Sequence, residues 1–294
     1  MTTMSARPRV ALVTCAALPS LYGDEQELPA RFADAGVDAA PVVWSDGEVA
    51  WSRYDAVVLR STWDYFQRIG EFTAWLDRLE RDSVRLHNPV PLVRWNFDKR
   101  YLAELQTRGV RIAPTRFFDA GARVDLPSLL RENGWSEAIV KPAVSGGAYR
   151  THRFVAADAP TVQRELDEIL RTTGALVQPF LDEIARDGEW SVFFFDCVFS
   201  HAVIKLPAAG DFRVQAQFGG THRPAEPPAS LLRAATAVLA ELPTPTLYAR
   251  IDGVVRAGEF ELMEVEVIEP YLFFPGSPGA VDRYIAAVRA RAAR

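Results

Sequence analysis

The sequence has little cysteine, no long apolar run and no excess of positive charge. Among its 294 residues are two cysteines, Cys15 and Cys197, which lack the spacing of a metal site or a disulfide framework, so we expect two reduced thiols. The longest strongly apolar stretch, residues 190–204, is interrupted by Asp196 and His201. It is shorter than the ~20 residues of a membrane span. It is therefore predicted to be a β-hairpin.

The balance of charge narrows the range of partners. The net charge is −5, with acidic and basic residues intermixed along the chain. This argues against a nucleic-acid or anionic-membrane surface, because both need clustered positive charge. The amino terminus lacks the charged start, apolar run and small-residue cleavage site of a secretory signal. We therefore expect a cytoplasmic protein, alone or as a homo-oligomer, that acts on a small molecule and does not bind membranes.

Short β-branched runs alternate with amphipathic segments in the first third of the chain. The pattern predicts strands over residues 9–14, 40–44 and 55–61 and helices over about 24–35 and 67–81. Such alternation is typical of βαβ units on a parallel sheet. Turn-forming residues at 88–91 mark a boundary. We therefore expect a doubly wound α/β domain over residues 1–92.

After this boundary the chain mixes helices with hairpins. Helices are predicted over about 98–108, 126–132, 159–172, 229–241 and 279–293, and strands over 113–119, 137–144, 175–182, 247–256 and 259–269. The last two strands are expected to pair antiparallel around Ala257 and Gly258. The apolar stretch is expected to turn at Asp196 and Cys197, although such a turn favours glycine. Residues 206–228 are predicted to form a long loop.

Polar side chains stand at the carboxyl end of the third predicted strand. The strand DAVVLRS runs directly into Thr62-Trp63-Asp64-Tyr65. Open α/β sheets bind ligands at this end of their strands, which favours a substrate pocket here. Its candidate residues are Arg60, Ser61, Thr62, Trp63 and Asp64. The alternative is that Trp63 and Tyr65 only pack a loop.

A lysine followed by small residues marks a candidate phosphate site. The strand IVKPAV presents Lys141 and opens into Ser145-Gly146-Gly147. Small residues let backbone N–H groups approach phosphate oxygens closely, and the lysine supplies positive charge. The segment does not have the GxxxxGK[ST] pattern of a P-loop, and a surface turn with one solvated lysine is the alternative.

Three acidic residues lie on the last two predicted strands. Asp252 is on the first, and Glu264 and Glu266 share one face of the second, because side chains alternate along a strand. The opposite face is predicted to carry Met263, Val265 and Val267. Within this apolar run the carboxylates are expected to face a cleft, where hard oxygen ligands suit Mg²⁺. The alternative is a solvated acidic face.

Two further segments carry weaker signals. Arg213 lies in the glycine-bounded loop GDFRVQAQFGG, where a guanidinium could clamp a transferring phosphoryl group or simply be a surface residue. The strand VQPFLDEI exits into acidic residues, which suits a purine amino group meeting backbone carbonyls and a ribose meeting a carboxylate.

The order of these segments resembles the ATP-grasp superfamily. The matching motifs are WNFDK with Lys99, IVKP with Lys141, VQPF with Gln178, GDFR with Arg213, and ARIDG with Asp252 followed by EVE. The resemblance implies a two-lobed α+β ATP-grasp unit over residues 93–294, with a small lobe of about 93–176 and a catalytic lobe of 177–294. It also implies ATP and Mg²⁺ as cofactors, with the nucleotide between the lobes.

The same resemblance implies a role for each candidate residue. Phosphates would be bound by Lys99, Lys141, Ser145, Gly146 and Gly147, adenine by Gln178, Pro179, Phe180 and Leu181, and ribose or an adjacent polar group by Glu183 or Glu189. The transferring phosphate would be met by Arg213 and Arg250, and magnesium by Asp252, Glu264 and Glu266. The family usually has asparagine at the last of these positions, so Glu266 adds a negative charge.

Further motifs resemble one subgroup of this superfamily. RSTWDYF, GEWSxxFFD, SHAVxKxP and IEPYLFF are similar to the cycloserine-forming O-ureido-D-serine cyclo-ligases. This resemblance implies an acyl-phosphate intermediate, ADP as a product and an intramolecular nitrogen nucleophile. An intermolecular amino-acid or peptide ligase is the alternative within the enzymes. A nucleotide-binding module without turnover is the alternative outside them, and Glu266 is the feature that motivates it.

Overall fold

Three β-sheets organise the part of the chain that the computed structural model describes, residues 7–293. Residues 1–6, where no secretory signal is expected, and Arg294 lie outside the described residues. The α/β class predicted from the sequence is confirmed. No helix among residues 7–293 is long and apolar enough to cross a membrane.

The first sheet is parallel, with strand order β2-β1-β3-β4. Its elements are β1 (Arg9–Thr14), α1 (Leu28–Asp34), β2 (Asp38–Val43), β3 (Ala56–Ser61), α2 (Ile69–Arg81) and β4 (Leu86–His87). Every residue of β3 is buried, because the sheet is covered on both faces. The predicted first helix begins later than expected, since Gly23–Glu27 forms a 3₁₀ turn.

The second sheet is antiparallel, with strand order β5-β8-β6-β7. The elements from residue 90 to 179 are α3 (Val90–Asn96), α4 (Tyr101–Thr107), β5 (Arg116–Phe118), α5 (Leu126–Asn133), β6 (Glu137–Pro142), β7 (His152–Val155), α6 (Ala159–Leu170) and β8 (Ala175–Pro179). Ala138 and Val140 of β6 point into a core formed with α5 and α6. Strand alternation therefore turns Ile139 and Lys141 to the opposite face.

The third sheet is antiparallel, with strand order β11-β10-β9-β12-β13. Its elements are α7 (Glu183–Arg186), β9 (Glu189–Phe195), β10 (Val198–Leu206), β11 (Thr221–Pro224), α8 (Ala229–Ala240), β12 (Tyr248–Arg256), β13 (Glu259–Glu266) and α9 (Ala280–Ala292). The predicted hairpin at Asp196 and Cys197 is confirmed, and both residues have positive φ, at 48° and 63°. Arg291 holds the Asp196 carboxylate at 3.0 Å.

Helices α3 and α7 and strand β11 were not expected from the sequence. Helix α3 begins within the turn predicted at 88–91, because Pro91 is tolerated in the first turn of a helix. Strand β11 lies within the predicted long loop, and all its residues are exposed. Its sequence THRP has no apolar alternation, so only its pairing with β10 makes it a strand.

The first and third sheets share one hydrophobic core. Val10 and Val58 of the first sheet pack in the same cluster as Phe193, Tyr248 and Tyr284. The buried side chain of Asn88 reinforces this junction by donating to the carbonyls of Tyr248 at 2.8 Å and Val267 at 2.7 Å. The ends of β3 and β13 are thereby held in fixed positions beside each other.

Candidate active site

Two adjoining cavities lie where the three sheets meet. The lysine cavity, about 140 Å³, is lined by Lys99, Ala113, Ile139, Lys141, Ser145, Gly146, Ala148, Thr151, Gln178, Pro179, Phe180, Leu181, Ile184, Glu189, Phe212, Arg213, Val214, Gln215, Met263 and Glu264. The aromatic cavity, about 560 Å³, is lined by Tyr22, Trp63, Phe66, Gln67, Gly146, Gly147, Ala148, Tyr149, Lys205, Val214, Gln215, Ala216, Gln217, Phe218, His222, Arg250, Glu266, Glu269, Tyr271 and Phe273. A separate groove of about 530 Å³ between α8 and the β12–β13 turn contains none of the predicted site residues.

Two lysines enter the lysine cavity from different elements. Lys99 precedes α4, donates to the Ser145 carbonyl at 2.6 Å and pairs with Glu264 at 3.1 Å. Lys141 projects from β6 and makes no ion pair or hydrogen bond through its ammonium within residues 7–293. Burial lowers the pKa of Lys141. An anion in this cavity would therefore find Lys141 without a competing partner.

The glycine-containing loop forms the boundary between the two cavities. Its Gly146 packs under the ring of Phe66, which lies 3.0 Å from where a Cβ would be. Gln217 donates to the carbonyl of Gly147 at 3.3 Å, which connects the loop to the segment before β11. A side chain at Gly146 would push against Phe66, so glycine lets the backbone keep this position.

The strand that was expected to frame adenine lies along the lysine cavity. Gln178, Pro179, Phe180 and Leu181 all line it. Gln178 donates to Thr115 Oγ1 at 2.8 Å. The Arg153 guanidinium lies 3.5 Å from the centre of the Phe180 ring. These contacts hold the strand end in one conformation.

The two glutamates considered for ribose lie in different places. Glu189 is in the wall of the lysine cavity, where burial raises its pKa. Glu183 is not in either cavity wall. Its carboxylate lies 3.9 Å from both Arg186 and Arg256, so of the two alternatives Glu189 is the one that lines the lysine cavity.

The acidic residues of β12 and β13 form a buried network with basic side chains. Asp252 accepts from Ser191 at 2.6 Å and pairs with Arg250 at 2.8 Å and Lys205 at 3.3 Å. Arg250 also pairs with Glu266. Against the effect of burial, Arg250 and Lys205 hold the pKa of Asp252 at about 2. Burial raises the pKa of Glu266 to about 7.

Glu264 and Glu266 face the cavities as the strand pattern predicts. Glu264 lines the lysine cavity and Glu266 the aromatic cavity, while Val265 and Val267 are buried on the other side. Met263 does not share that buried side. A β-bulge at Met263 shifts the register, so its side chain lines the lysine cavity beside Glu264.

The residues expected to hold magnesium are Asp252, Glu264 and Glu266. Within residues 7–293 no three His, Cys, Asp or Glu side chains are grouped as a metal site. The Glu264 and Glu266 side chains are about 30% and 27% exposed, and their carboxylates suit a hard cation that takes its other ligands from phosphate and water. Asp252 is only 2% exposed, and its oxygens accept from Ser191, Arg250 and Lys205. The residues that fit magnesium are therefore Glu264 and Glu266.

Arg213 lies in the wall of the lysine cavity, as expected of a clamp. Its guanidinium pairs with Asp211 at 2.7 Å and lies 3.6 Å from the centre of the Phe218 ring. Its side chain is 34% exposed. The positive charge of Arg213 therefore lies near the cavity, and the carboxylate of Asp211 partly neutralises it.

Glu269 follows β13 and lies in the aromatic cavity wall, where the sequence reasoning had no candidate. Burial raises the pKa of Glu269 well above its usual range, and the carboxylate of Glu266 raises it further. Its motif IEPYLFF had been noted only as a family signal.

Known proteins match this chain along nearly its whole length. A family model described as the N-terminal domain of D-cycloserine synthetase DcsG matches residues 10–88. The cycloserine biosynthesis protein DcsG of Streptomyces lavendulae is 32% identical over 300 residues, which covers 96% of this chain and 98% of that protein. The chain belongs to the DcsG family. The subgroup suggested by the motifs is thereby confirmed.

Solved structures agree with this assignment. A crystal structure of D-cycloserine synthetase DcsG has a TM-score of 0.86 and 31% identity, covering 97% of this chain and 99% of the other. A D-alanine–D-alanine ligase from Bacillus anthracis has a TM-score of 0.69 at 16% identity, covering 97% and 98%, and supports the ATP-grasp fold alone. As a DcsG-family protein of this fold, the chain is an ATP-dependent ligase.

Within the segment that matches the DcsG N-terminal domain, only one predicted substrate residue reaches a cavity. Trp63 lines the aromatic cavity and donates to the Glu269 carbonyl at 3.0 Å. Ser61 and Thr62 are buried. Asp64 accepts from Trp44 at 2.8 Å and pairs with Arg68 at 3.2 Å. The expectation that all of them line a pocket is corrected, because most of them pack the sheet end.

Arg60 is the clearest of these corrections. Its guanidinium is buried, forms a bidentate pair with Glu25 and donates to the Pro270 carbonyl at 2.7 Å. The rings of Tyr248 and Tyr284 lie 5.3 and 5.6 Å away. Arg60 therefore ties the first sheet to the segment after β13 and has a structural role.

Replacing Arg60 by methionine is expected to destabilise the fold by about 3–5 kcal/mol, because Glu25 would be left as an uncompensated buried charge. Urea unfolding of the variant measures this. Arg31→Ala is the matched control, since the Arg31–Asp282 pair is exposed and should contribute little. If the variant instead had unchanged stability and a raised KM for the carboxylate substrate, Arg60 would be a substrate-binding residue.

Lys205 is a second cavity residue that the sequence reasoning missed. It is buried between Glu189, at 2.6 Å, and Asp252, at 3.3 Å, and it lines the aromatic cavity of this DcsG-family site. A signal was available in the composition. Lys99, Lys141 and Lys205 are the only three lysines of the chain, and all other basic residues are arginines. A lysine that remains in such a sequence indicates a position that needs a compact ammonium.

Proposed function

We propose that this protein closes a ring on an amino-acid-like carboxylate at the expense of ATP, converting O-ureido-D-serine to D-cycloserine. The observation that carries the proposal is that the two cavities share the walls formed by Gly146, Ala148, Val214 and Gln215. ATP in the lysine cavity and an amino acid in the aromatic cavity would therefore be in contact. The name of the 32% identical relative, a cycloserine biosynthesis protein, supports the same product.

The first step is phosphoryl transfer to the substrate. The substrate carboxylate attacks the terminal phosphorus of ATP, ADP leaves, and an acyl phosphate forms. Lys99 and Lys141 are proposed to bind the phosphates together with backbone N–H groups of residues 145–147, and Arg213 and Arg250 to offset charge on the transferring group. Magnesium, when bound, adds further positive charge at these oxygens, and Glu264 and Glu266 would hold it, with Asp252 orienting Arg250 and Lys205.

The second step closes the ring. The ureido nitrogen bonded to oxygen attacks the acyl carbon of the same molecule, and phosphate leaves. The ring formed in this step still carries the carbamoyl group on its nitrogen. Hydrolysis must remove this group to give D-cycloserine. The aromatic cavity would fold the substrate so that nitrogen and carbonyl meet, which is a positioning role. In this proposal residues 1–92 contribute Tyr22 and Trp63 to that wall, and residues 93–294 form the nucleotide site.

O-ureido-D-serine with ATP and magnesium is expected to give ADP, phosphate and a cyclised product without any second amine. AMP should be absent, because an acyl phosphate takes only the terminal phosphoryl group. Mass spectrometry and nucleotide chromatography measure both outcomes. The methyl ester of the substrate, which has no free carboxylate, is the control and should give no ADP. Turnover that depends on an added amino acid would establish the intermolecular ligase instead.

A further inference from the structure

Glu269 has an unusual environment for a carboxylate of this site. It lies three residues after the end of β13, and its backbone carbonyl is held by the indole N–H of Trp63 at 3.0 Å. Its side chain lines the aromatic cavity. Across residues 7–293 that carboxylate takes part in no ion pair or hydrogen bond. The backbone is thus fixed while the charge is left facing the cavity.

The other acids of the site all have basic partners. Glu264 pairs with Lys99, Glu266 with Arg250, and Glu189 with Lys205. Asp252 has both Arg250 and Lys205. A carboxylate removed from bulk water is costly unless a positive group neutralises it. No basic side chain in the described part of the chain forms an ion pair with Glu269, so a cationic group of a ligand could take that place.

Aromatic rings line the same cavity as Glu269. The ring centres of Tyr22 and Trp63 are 4.7 Å apart, those of Tyr22 and Tyr271 5.7 Å, and those of Tyr271 and Phe273 4.8 Å. Aromatic faces attract cations, more strongly where water is excluded. A carboxylate beside such rings is suited to an ammonium group and poorly suited to an anion.

Two basic side chains also line this cavity. Arg250 and Lys205 lie in its wall together with Glu266. A zwitterionic amino acid could place its carboxylate near these two basic side chains and its ammonium near Glu269. The cavity therefore matches both charges of such a molecule.

We propose that Glu269 binds the α-ammonium of the substrate and so selects amino acids over simple carboxylates. This inference rests on the proposed function, because it assigns one group of the substrate in that reaction to one residue. Glu269 is a binding residue here, and Trp63 positions it through its backbone carbonyl.

The test compares O-ureido-D-serine with its analogue that has hydrogen in place of the α-ammonium. The wild type is expected to prefer the ammonium compound by roughly 10- to 100-fold in kcat/KM, the range typical of a charge-assisted hydrogen bond. Glu269→Gln should lose most of that preference, and Glu269→Asp should retain much of it. Glu259→Gln, an exposed glutamate at the start of β13, is the matched control and should keep the full preference.

A binding measurement separates this inference from the reaction. Calorimetric titration of the protein with a non-hydrolysable ATP analogue, followed by D-serine or D-glycerate, compares ammonium with hydroxyl without turnover. A preference for D-serine that disappears in Glu269→Gln, with the analogue still bound normally, supports the inference even if O-ureido-D-serine is not cyclised. Cyclisation by the wild type with an ammonium preference unchanged in Glu269→Gln overturns it. Equal losses for both ligands also overturn it, since the role of Glu269 would then be structural.

Discussion

Replacing Glu264 by glutamine is expected to lower kcat by at least about 100-fold at saturating ATP and magnesium. Glu264 lies in the lysine cavity, 3.1 Å from Lys99, and its carboxylate is one of two that fit the metal. Interactions that stabilise charge developing in the transition state affect kcat more than ground-state binding. Affinity for a non-hydrolysable ATP analogue should therefore change only a few-fold.

The measurement is steady-state ADP release by the purified variant, with calorimetry for the nucleotide. Glu226→Gln provides the control, because Glu226 is exposed and lies outside both cavities. If the Glu264 variant kept activity within a few-fold of the wild type, the metal would have to be held elsewhere.

Replacing Lys141 by alanine is expected to weaken binding of an ATP analogue by roughly 10- to 100-fold, the range of a lost charge-assisted hydrogen bond. Within the described chain Lys141 is half-buried in the cavity wall and has no ion-pair partner, so its charge is available to an anion that enters. Lys99→Ala should also weaken binding. It should in addition release Glu264, with which Lys99 pairs.

Calorimetric titration with the analogue measures both lysine variants. Arg116→Ala on β5 is a control in the same sheet, because the Arg116 side chain is exposed and, among residues 7–293, hydrogen-bonds only to Asn133. Unchanged affinity for the analogue in both lysine variants would show that the nucleotide does not bind in this cavity.

Much of the site could be anticipated from the sequence because its residues belong to local patterns. Lys141 lies on an alternating strand, so its direction follows from that of Val140 on the core side. Glu264 and Glu266 were assigned to one face by the same rule, and both face the cavities. The order of the motifs was enough for the family and the fold, since each motif is contained in a few consecutive residues.

The predictions that needed correction involve partners far apart in the chain. Arg60 and Asp64 stand at the expected strand end. However, Arg60 binds Glu25 and the Pro270 carbonyl, 210 residues away, and is therefore not available to a ligand. Glu183 is close in sequence to the predicted adenine strand, yet its carboxylate lies 3.9 Å from Arg256 on β12, a distant part of the chain.

The sequence by itself determined the parallel first sheet, the β9–β10 and β12–β13 hairpins and the set of phosphate-binding candidates, because periodicity and turn residues act over a few positions. Only the tertiary structure decided which acidic and basic side chains form ion pairs with each other. The bulge that turns Met263 into the cavity arises from the register between β12 and β13. Likewise, Glu269 has no ion-pair partner in the described chain because the packing places Arg250 against Glu266 and Asp252. Contacts of this kind depend on how whole elements pack, which no short stretch of sequence encodes.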